Sequence, residues 1–397
     1  MDSKEDFKKR YLLNNDLTNL RDILVIWFIN NEPRLYKKML KSKHYAKRNI
    51  PNPFHGEGSI WTHTMMVMTW ITNKYFNLFK QQNHLYYQDK EKFIILLISA
   101  LLHDIGKVFV ETRMEEEELK PLRNSFKGHE GVSFFKAIEI LEKIKEDFPI
   151  LFELYNSNKD IYYMQKMILT IVGTHGMAIQ TEDKYIKKIK EEFREADKFG
   201  AIRSVDEDIF SQYDKQNFAS SKHIEKESEK ELVFVVGLPC SGKTKFINTN
   251  FPNHSIISRD EAMLEFYNIE NNTNYPESDN IVYFFINDPI DVEKQKLKKF
   301  NAFFEEKILE YKDKEKIAID MTMLSLSSRR KFLNVFNKHN RKCFLLIPNE
   351  KIIKERNNKR KKDVYSKYIS KERLLKSKRR FSMPLIEEGF EEIVFIF

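Results

Sequence analysis

Two short runs hold the residue types best suited to chemistry. Leu101-Leu-His-Asp-Ile-Gly-Lys107 sets an imidazole beside a carboxylate, with a lysine one turn further on. Gly237-Leu-Pro-Cys-Ser-Gly-Lys-Thr244 has the spacing of a loop whose backbone amides wrap the phosphates of a nucleoside triphosphate. In such a loop Gly237, Pro239, Ser241 and Gly242 are expected among the residues that bind the nucleotide. Lys243 would meet the β and γ phosphates of ATP, and the Thr244 hydroxyl would ligate Mg²⁺. One run suits removal of a phosphate, the other its addition.

More potential metal ligands surround the first run. His63 falls in a helical stretch, His129 in Lys127-Gly-His-Glu130, His175 in Thr174-His-Gly, and Asp197 in Arg194-Glu-Ala-Asp-Lys. Imidazoles and carboxylates suit Mn, Fe, Ni, Co or Mg better than a thiolate zinc site. Such ions polarise phosphoryl oxygens and acidify bound water. Lys107, one turn after His103, is expected to neutralise the scissile phosphate.

Around the phosphate loop, Ser258-Arg-Asp260 follows the second expected strand of its half. A carboxylate there can orient or deprotonate an acceptor hydroxyl, although an Asp before a helix also serves as an N-cap. Asp320 ends another strand and opens Asp-Met-Thr322, with Arg329-Arg330 downstream. Arg356 and Arg360 stand four apart, on one helix face, where two guanidiniums could clamp a polyphosphate.

The elements that must hold these residues divide the chain. At 397 residues it exceeds the roughly 250–300 at which a single core stops growing, so two domains are expected. Helical patterns dominate the first half, over 17–50, 65–75, 91–103, 133–146, 162–174 and 184–201, and little there reads as strand. The polar segment 204–231 reads as a linker. Beyond it, short apolar runs at 232–236, 255–257, 317–319, 343–347 and 393–396 alternate with helices, the pattern of a mainly parallel sheet. The expected boundaries are an N-terminal helical extension over 1–55, an all-α domain over 56–205, a linker over 206–230 and an α/β domain over 231–397.

Composition narrows the setting. The net charge of +9 is concentrated, with 16 Lys/Arg against 4 Asp/Glu between residues 341 and 380. Positive charge near a triphosphate site suggests contact with a polyanion, although a solvated helix face would look the same. Two cysteines cannot build a disulfide framework, which points to a reducing compartment such as the cytoplasm. The longest apolar run is about ten residues, short for a bilayer span, and no signal peptide follows Met1.

With these residues in view, two resemblances emerge. Residues 231–397 resemble the kinase domain of the phage-type polynucleotide 5′-kinases, through the phosphate loop, Arg-Asp260, Asp320-x-Thr and the Arg356-Asn-x-Lys-Arg360 lid. The resemblance implies that Asp260 activates a 5′-hydroxyl and that Arg356 and Arg360 hold the ATP phosphates. Met263 stands where that family commonly has an arginine that contacts the acceptor. Cys240 replaces a frequent loop glycine, an exchange that ordinary backbone angles would tolerate. The order His, His-Asp, His, His, Asp over 63–197 resembles the HD phosphohydrolase superfamily, particularly its members that act on 2′,3′-cyclic phosphates. That resemblance implies one metal on His63, His103, Asp104 and Asp197, with His129 and His175 on a second metal or the phosphate. Together the halves look like the HD-Pnk-type end-healing enzymes. Those would phosphorylate 5′-hydroxyl ends of RNA or DNA, remove 2′,3′-cyclic phosphates, and need a separate ligase, since no Lys-x-Asp-Gly motif is present. The alternative is a nucleotide or metabolite phosphohydrolase fused to a small-molecule kinase.

Overall fold

The structure, a computed structural model, describes residues 19–42, 58–82, 86–110, 112–113, 124–153, 162–177, 184–201, 230–274, 290–361 and 368–397. The chain divides into two compact units, Met1–Phe218 and Ala219–Phe397. The expected linker, apart from residue 230, lies outside the described residues.

The first unit is helical. Its main helices are α1 (Leu20–Asn31), α2 (Pro33–Lys41), α3 (Ile60–Gln82), α4 (Tyr87–Leu102), α5 (His129–Asp147), α6 (Tyr163–Thr174) and α7 (Lys184–Gly200). The expected single stretch at the start is broken after α1, where Pro33 opens α2. Helix α4 is the core: every residue from 93 to 102 is buried, and α3, α6 and α7 pack around it. Gln88–Val110 is long and apolar enough to cross a membrane, longer than the ten-residue apolar run alone suggests, but it is buried inside this unit. The described part of the N-terminal extension packs on the same core. Phe28 stacks on Trp61 at 5.7 Å, and Trp27 Nε1 donates to Asp147 Oδ2 at 2.7 Å. The exception to an all-helical reading is a two-residue antiparallel pair, Thr112–Arg113 with Asn124–Ser125.

The second unit alternates strands and helices: β1 (Glu231–Val236), α8 (Lys243–Asn250), β2 (Ser255–Ser258), α9 (Arg259–Asn271), α10 (Ile290–Glu310), β3 (Lys316–Asp320), α11 (Leu326–Val335), β4 (Asn340–Leu346), α12 (Glu350–Arg360), α13 (Lys371–Arg380) and β5 (Glu392–Ile396). The strands form one sheet in the order β2-β3-β1-β4-β5, all parallel. Central β1 is an unbroken apolar run, with residues 232–236 fully buried, as a strand covered on both faces must be. Because the strands are parallel, their carboxyl ends share one edge, where ligands of open α/β sheets bind. Register puts Ser258 of β2 opposite Asp320 of β3. The phosphate loop leaves β1 at this same edge, and Gly237 N donates to Thr322 O at 3.3 Å.

Candidate active sites

In the helical unit five segments converge on one point. His63 comes from α3, His103 and Asp104 from the turn that ends α4, His129 from the first residue of α5, His175 from the end of α6 and Asp197 from α7. Close backbone approach makes this possible. A Cβ on Gly106 would lie 2.3 Å from His129 O, and one on Gly200 would lie 2.4 Å from Val67 Cγ2, beside the His63 ring. Only glycine admits these contacts.

The six residues form two ligand groups, His63/His103/Asp197 and Asp104/His129/His175. Asp104 joins them. Its Oδ2 lies 3.3 Å from His103 Nε2 and 3.7 Å from His63 Nε2, while Oδ1 lies 3.3 Å from His129 Nε2 and 3.5 Å from His175 Nε2. The four-ligand group expected from the resemblance is thus laid out as two triads that share a central carboxylate.

Hydrogen bonding fixes how the imidazoles face. His103 Nδ1 meets Ala100 O at 2.8 Å, His129 Nδ1 meets Phe126 O at 3.0 Å, and His175 Nδ1 meets Val172 O at 2.9 Å. A carbonyl only accepts, so each Nδ1 carries a proton, and each ring in its neutral form turns a bare Nε2 inward. His129 Nε2 and His175 Nε2 then stand 3.0 Å apart. Two lone pairs at that separation require a proton or a cation between them. His103 Nε2 and Asp104 Oδ1 are also buried without a hydrogen-bond partner. The residues therefore fit a divalent cation in each triad.

Charge agrees with this. Burial raises the Asp104 and Asp197 carboxyls, but the neighbouring histidines, and Lys107 for Asp104, outweigh it and hold both well below the usual range. Burial depresses His103, yet Asp104 and Asp197 lift it to about 10. The pocket is an anionic cage that holds positive charge in whatever form is available. Lys107, expected to neutralise a scissile phosphate, pairs with a ligand residue. Its ammonium lies 2.7 Å from Asp104 Oδ2 and is buried, so it braces the shared carboxylate.

At the sheet edge of the second unit, Gly242 takes φ 99° as it caps α8, and Gly237 leaves room for Ser241 Oγ, 2.7 Å from where its Cβ would be. Pro239 lies in the same turn. Cys240 has φ 64°, so the condition under which the exchange would be tolerated without strain is not met. The loop demands a left-handed residue there, and cysteine in place of glycine stores about 1–2 kcal/mol of strain. Lys243 Nζ donates to Leu238 O at 3.0 Å, and burial, with Arg360 nearby, pushes its pKa down to about 8.

Thr244 Oγ1 donates to Asp320 Oδ2 at 2.7 Å. Sequence reasoning treated Asp320 only as part of a pattern; the signal for its role was its place at the end of a strand beside the phosphate-loop strand. Ser258, not Asp260, caps α9 by accepting from Glu261 N at 3.3 Å. Asp260 is left exposed in the first turn. Of the expected clamp, Arg356 turns onto the loop itself, where Nη1 donates to Ser241 O at 2.7 Å and Cys240 O at 3.2 Å. Arg329 belongs to no site. It is fully buried, and its guanidinium forks onto Glu388 at 2.6 and 2.7 Å. Part of the basic 341–380 stretch likewise serves the fold: Lys354 and Lys378 share Glu350, and Lys342 pairs with Glu231.

No curated protein matches the chain. Compared with protein families, residues 61–202 match the HD domain and residues 232–384 match the AAA domain. The chain is thus a fusion of an HD domain, of the metal-dependent hydrolase type, with a P-loop domain of the nucleotide-kinase-like AAA type.

Proposed function

We propose that this enzyme heals nucleic-acid ends: its P-loop unit phosphorylates 5′-hydroxyl ends of RNA or DNA, and its HD unit removes 2′,3′-cyclic phosphates. The observation that carries the reading is Asp260. With Ser258 as the cap, a carboxylate is exposed at the sheet edge where Thr244 and Asp320 also meet. A base in that position serves transfer to an acceptor hydroxyl better than simple ATP hydrolysis.

In the kinase step Asp260 takes the proton of the 5′-hydroxyl, whose oxygen forms the new bond to the γ-phosphorus as the bond to the β-phosphate oxygen breaks. The loop amides, Lys243 and Arg360 balance the phosphate charge, and Thr244 with Asp320 would hold Mg²⁺. Arg356 braces the loop from behind. In the HD unit, His63, His103 and Asp197 would hold one divalent ion (Mn, Ni, Co, Fe or Mg) and His129 with His175 another, with Asp104 shared. Such ions supply Lewis acidity toward a phosphoryl oxygen and a nucleophile from water. Lys107 keeps Asp104 ionised and oriented. Water adds to phosphorus, one ring P–O bond breaks, and the released ribose oxygen takes the proton. A separate ligase would then seal the healed ends, and a cytoplasmic setting suits the two unpaired cysteines.

A short RNA with a 5′-hydroxyl and a 2′,3′-cyclic phosphate, incubated with ATP, Mg²⁺ and Mn²⁺ or Ni²⁺ and read by mass at both ends, tests this. Gain of a 5′-phosphate and loss of the cyclic phosphate is the expected result. Unchanged ends, with free nucleotides dephosphorylated or small molecules phosphorylated, would hand the function to a metabolite hydrolase–kinase.

A further inference from the structure

Between the phosphate loop and α12 runs a set of contacts that phosphoryl transfer itself does not require. Cys240 holds φ 64° in the loop, a backbone state that glycine adopts freely and a side chain strains. Its thiol is buried and donates across 3.9 Å to Asn357 Oδ1, a long and weak S–H contact. Its carbonyl accepts from Arg356 Nη1 at 3.2 Å, and Ser241 O accepts from the same nitrogen at 2.7 Å. Two consecutive residues of α12 thus grip the side chain and the main chain of one loop residue. The fit is close: a Cβ on Gly242 would lie 2.9 Å from Arg356 Nη1. Asn357 carries the contact onward through its bonds of 2.8 and 3.0 Å to Ile369. Its Oδ1 accepts from both the Cys240 thiol and Ile369 N, which uses both lone pairs.

We infer that Cys240 is a positioning residue whose thiol latches α12 onto the phosphate loop and so sets where Arg360 stands over bound ATP, an assignment that rests on the kinase reading above. Arg360 follows Arg356 by one turn of α12 and lies close enough to Lys243 for its charge to be felt there. A shift of α12 therefore carries it away from the phosphates. Glycine at 240 would relax the backbone, but it would leave Asn357 Oδ1 one donor short and α12 held to the loop by Arg356 alone. Strain of this kind persists where the surrounding structure over-determines a residue, and here two helix side chains do so. Lys243, Thr244 and Asp260 belong to other elements and keep their places. The latch thus acts on retention of the nucleotide and leaves the chemical step alone.

The test measures ATP dissociation constants by calorimetry, thermal melting, and kcat on a 5′-hydroxyl oligonucleotide at saturating ATP, in the full chain and in Cys240→Gly and Cys240→Ala. Loss of one neutral hydrogen bond should weaken ATP binding by about 3- to 10-fold in both variants. The kcat should change by less than about twofold, a split that a misshapen phosphate loop would not give. Cys240→Gly should melt no lower than the wild type, because the strain at φ 64° is gone, so stability and affinity part company. In an Asn357→Ala background, Cys240→Ala should weaken ATP binding by less than about twofold further, since the partner is already missing. Unchanged ATP affinity in both variants overturns the inference. So does a glycine variant that loses stability and affinity together, or a full effect of Cys240→Ala in the Asn357→Ala background. If one variant fails to fold, the other is read. A wild type that binds ATP but phosphorylates no oligonucleotide overturns the end-phosphorylation reading and leaves the latch to be judged on affinity; one that binds no ATP overturns both.

Discussion

His129 and His175 illustrate how much one proton position decides. Each Nδ1 is committed to a backbone carbonyl, so the facing Nε2 atoms, 3.0 Å apart, must share something positive. With a cation in each triad, the protein dialysed against Mn²⁺ should retain about two ions per chain, and His175→Ala about one. Elemental analysis checks this, and equal metal content in both proteins would show that the second triad holds none. Lys243 carries a pH signature. Its pKa in the free loop is pushed down to about 8 by burial, and bound phosphates would raise it. The protonated form binds ATP, so affinity is complete below about 8 and declines above it. Dissociation constants measured by calorimetry should be about tenfold weaker near pH 9 than near pH 7, with proton uptake on binding at the higher pH.

Between elements, buried polar contacts do the positioning. Arg329 of α11 reaches Met323 O at 3.0 Å and Leu324 O at 3.3 Å while forked onto Glu388. It fixes the turn after β3, where Met323 adopts φ 45°, and ties it to the segment before β5. Removing one partner strands a buried charge, so Arg329→Ala should cost about 3–5 kcal/mol in urea unfolding. The double change Arg329→Met with Glu388→Leu should cost clearly less, because no lone charge is left behind. A similar economy holds α12: the Asn357 amide donates to Ile369 O at 2.8 Å and accepts from Ile369 N at 3.0 Å, pinning the residues just before α13 to α12. Helix α4 makes the same point with apolar contacts. The burial of its residues 93–102 anchors the turn that presents His103 and Asp104.

For the whole molecule, the two sites lie in separate compact units, each with its own core. Their chemistries should therefore separate by mutation. Asp260→Ala or Lys243→Ala should lower 5′-kinase activity by about 10²–10⁴-fold and leave phosphohydrolase activity intact. His103→Ala or Asp104→Ala should do the reverse. Both activities are assayed on one preparation whose folding is verified by circular dichroism. Loss of both activities from any one of these changes in a folded protein would mean that the two-site division is wrong.

What the chain determines by itself is local. The His-Asp and Gly-x-x-x-x-Gly-Lys-Thr runs, the buried apolar strand before the phosphate loop and the helical periods of the first half all depend on neighbours within a few residues. They were legible, with ends displaced by several residues, most of all at α3, where the expected 65–75 is observed as Ile60–Gln82. Tertiary structure decided what depends on approach between distant segments. Asp104 became the carboxylate between two triads, Lys107 its brace, and Arg356 a tie to the loop. Asp320 found Thr244, 76 residues away, and Arg329 found Glu388, 59 residues away. Residue type announces which groups can donate, accept or carry charge. Which group they meet is decided by packing, because a polar side chain taken from water must find its partner wherever the fold has brought one.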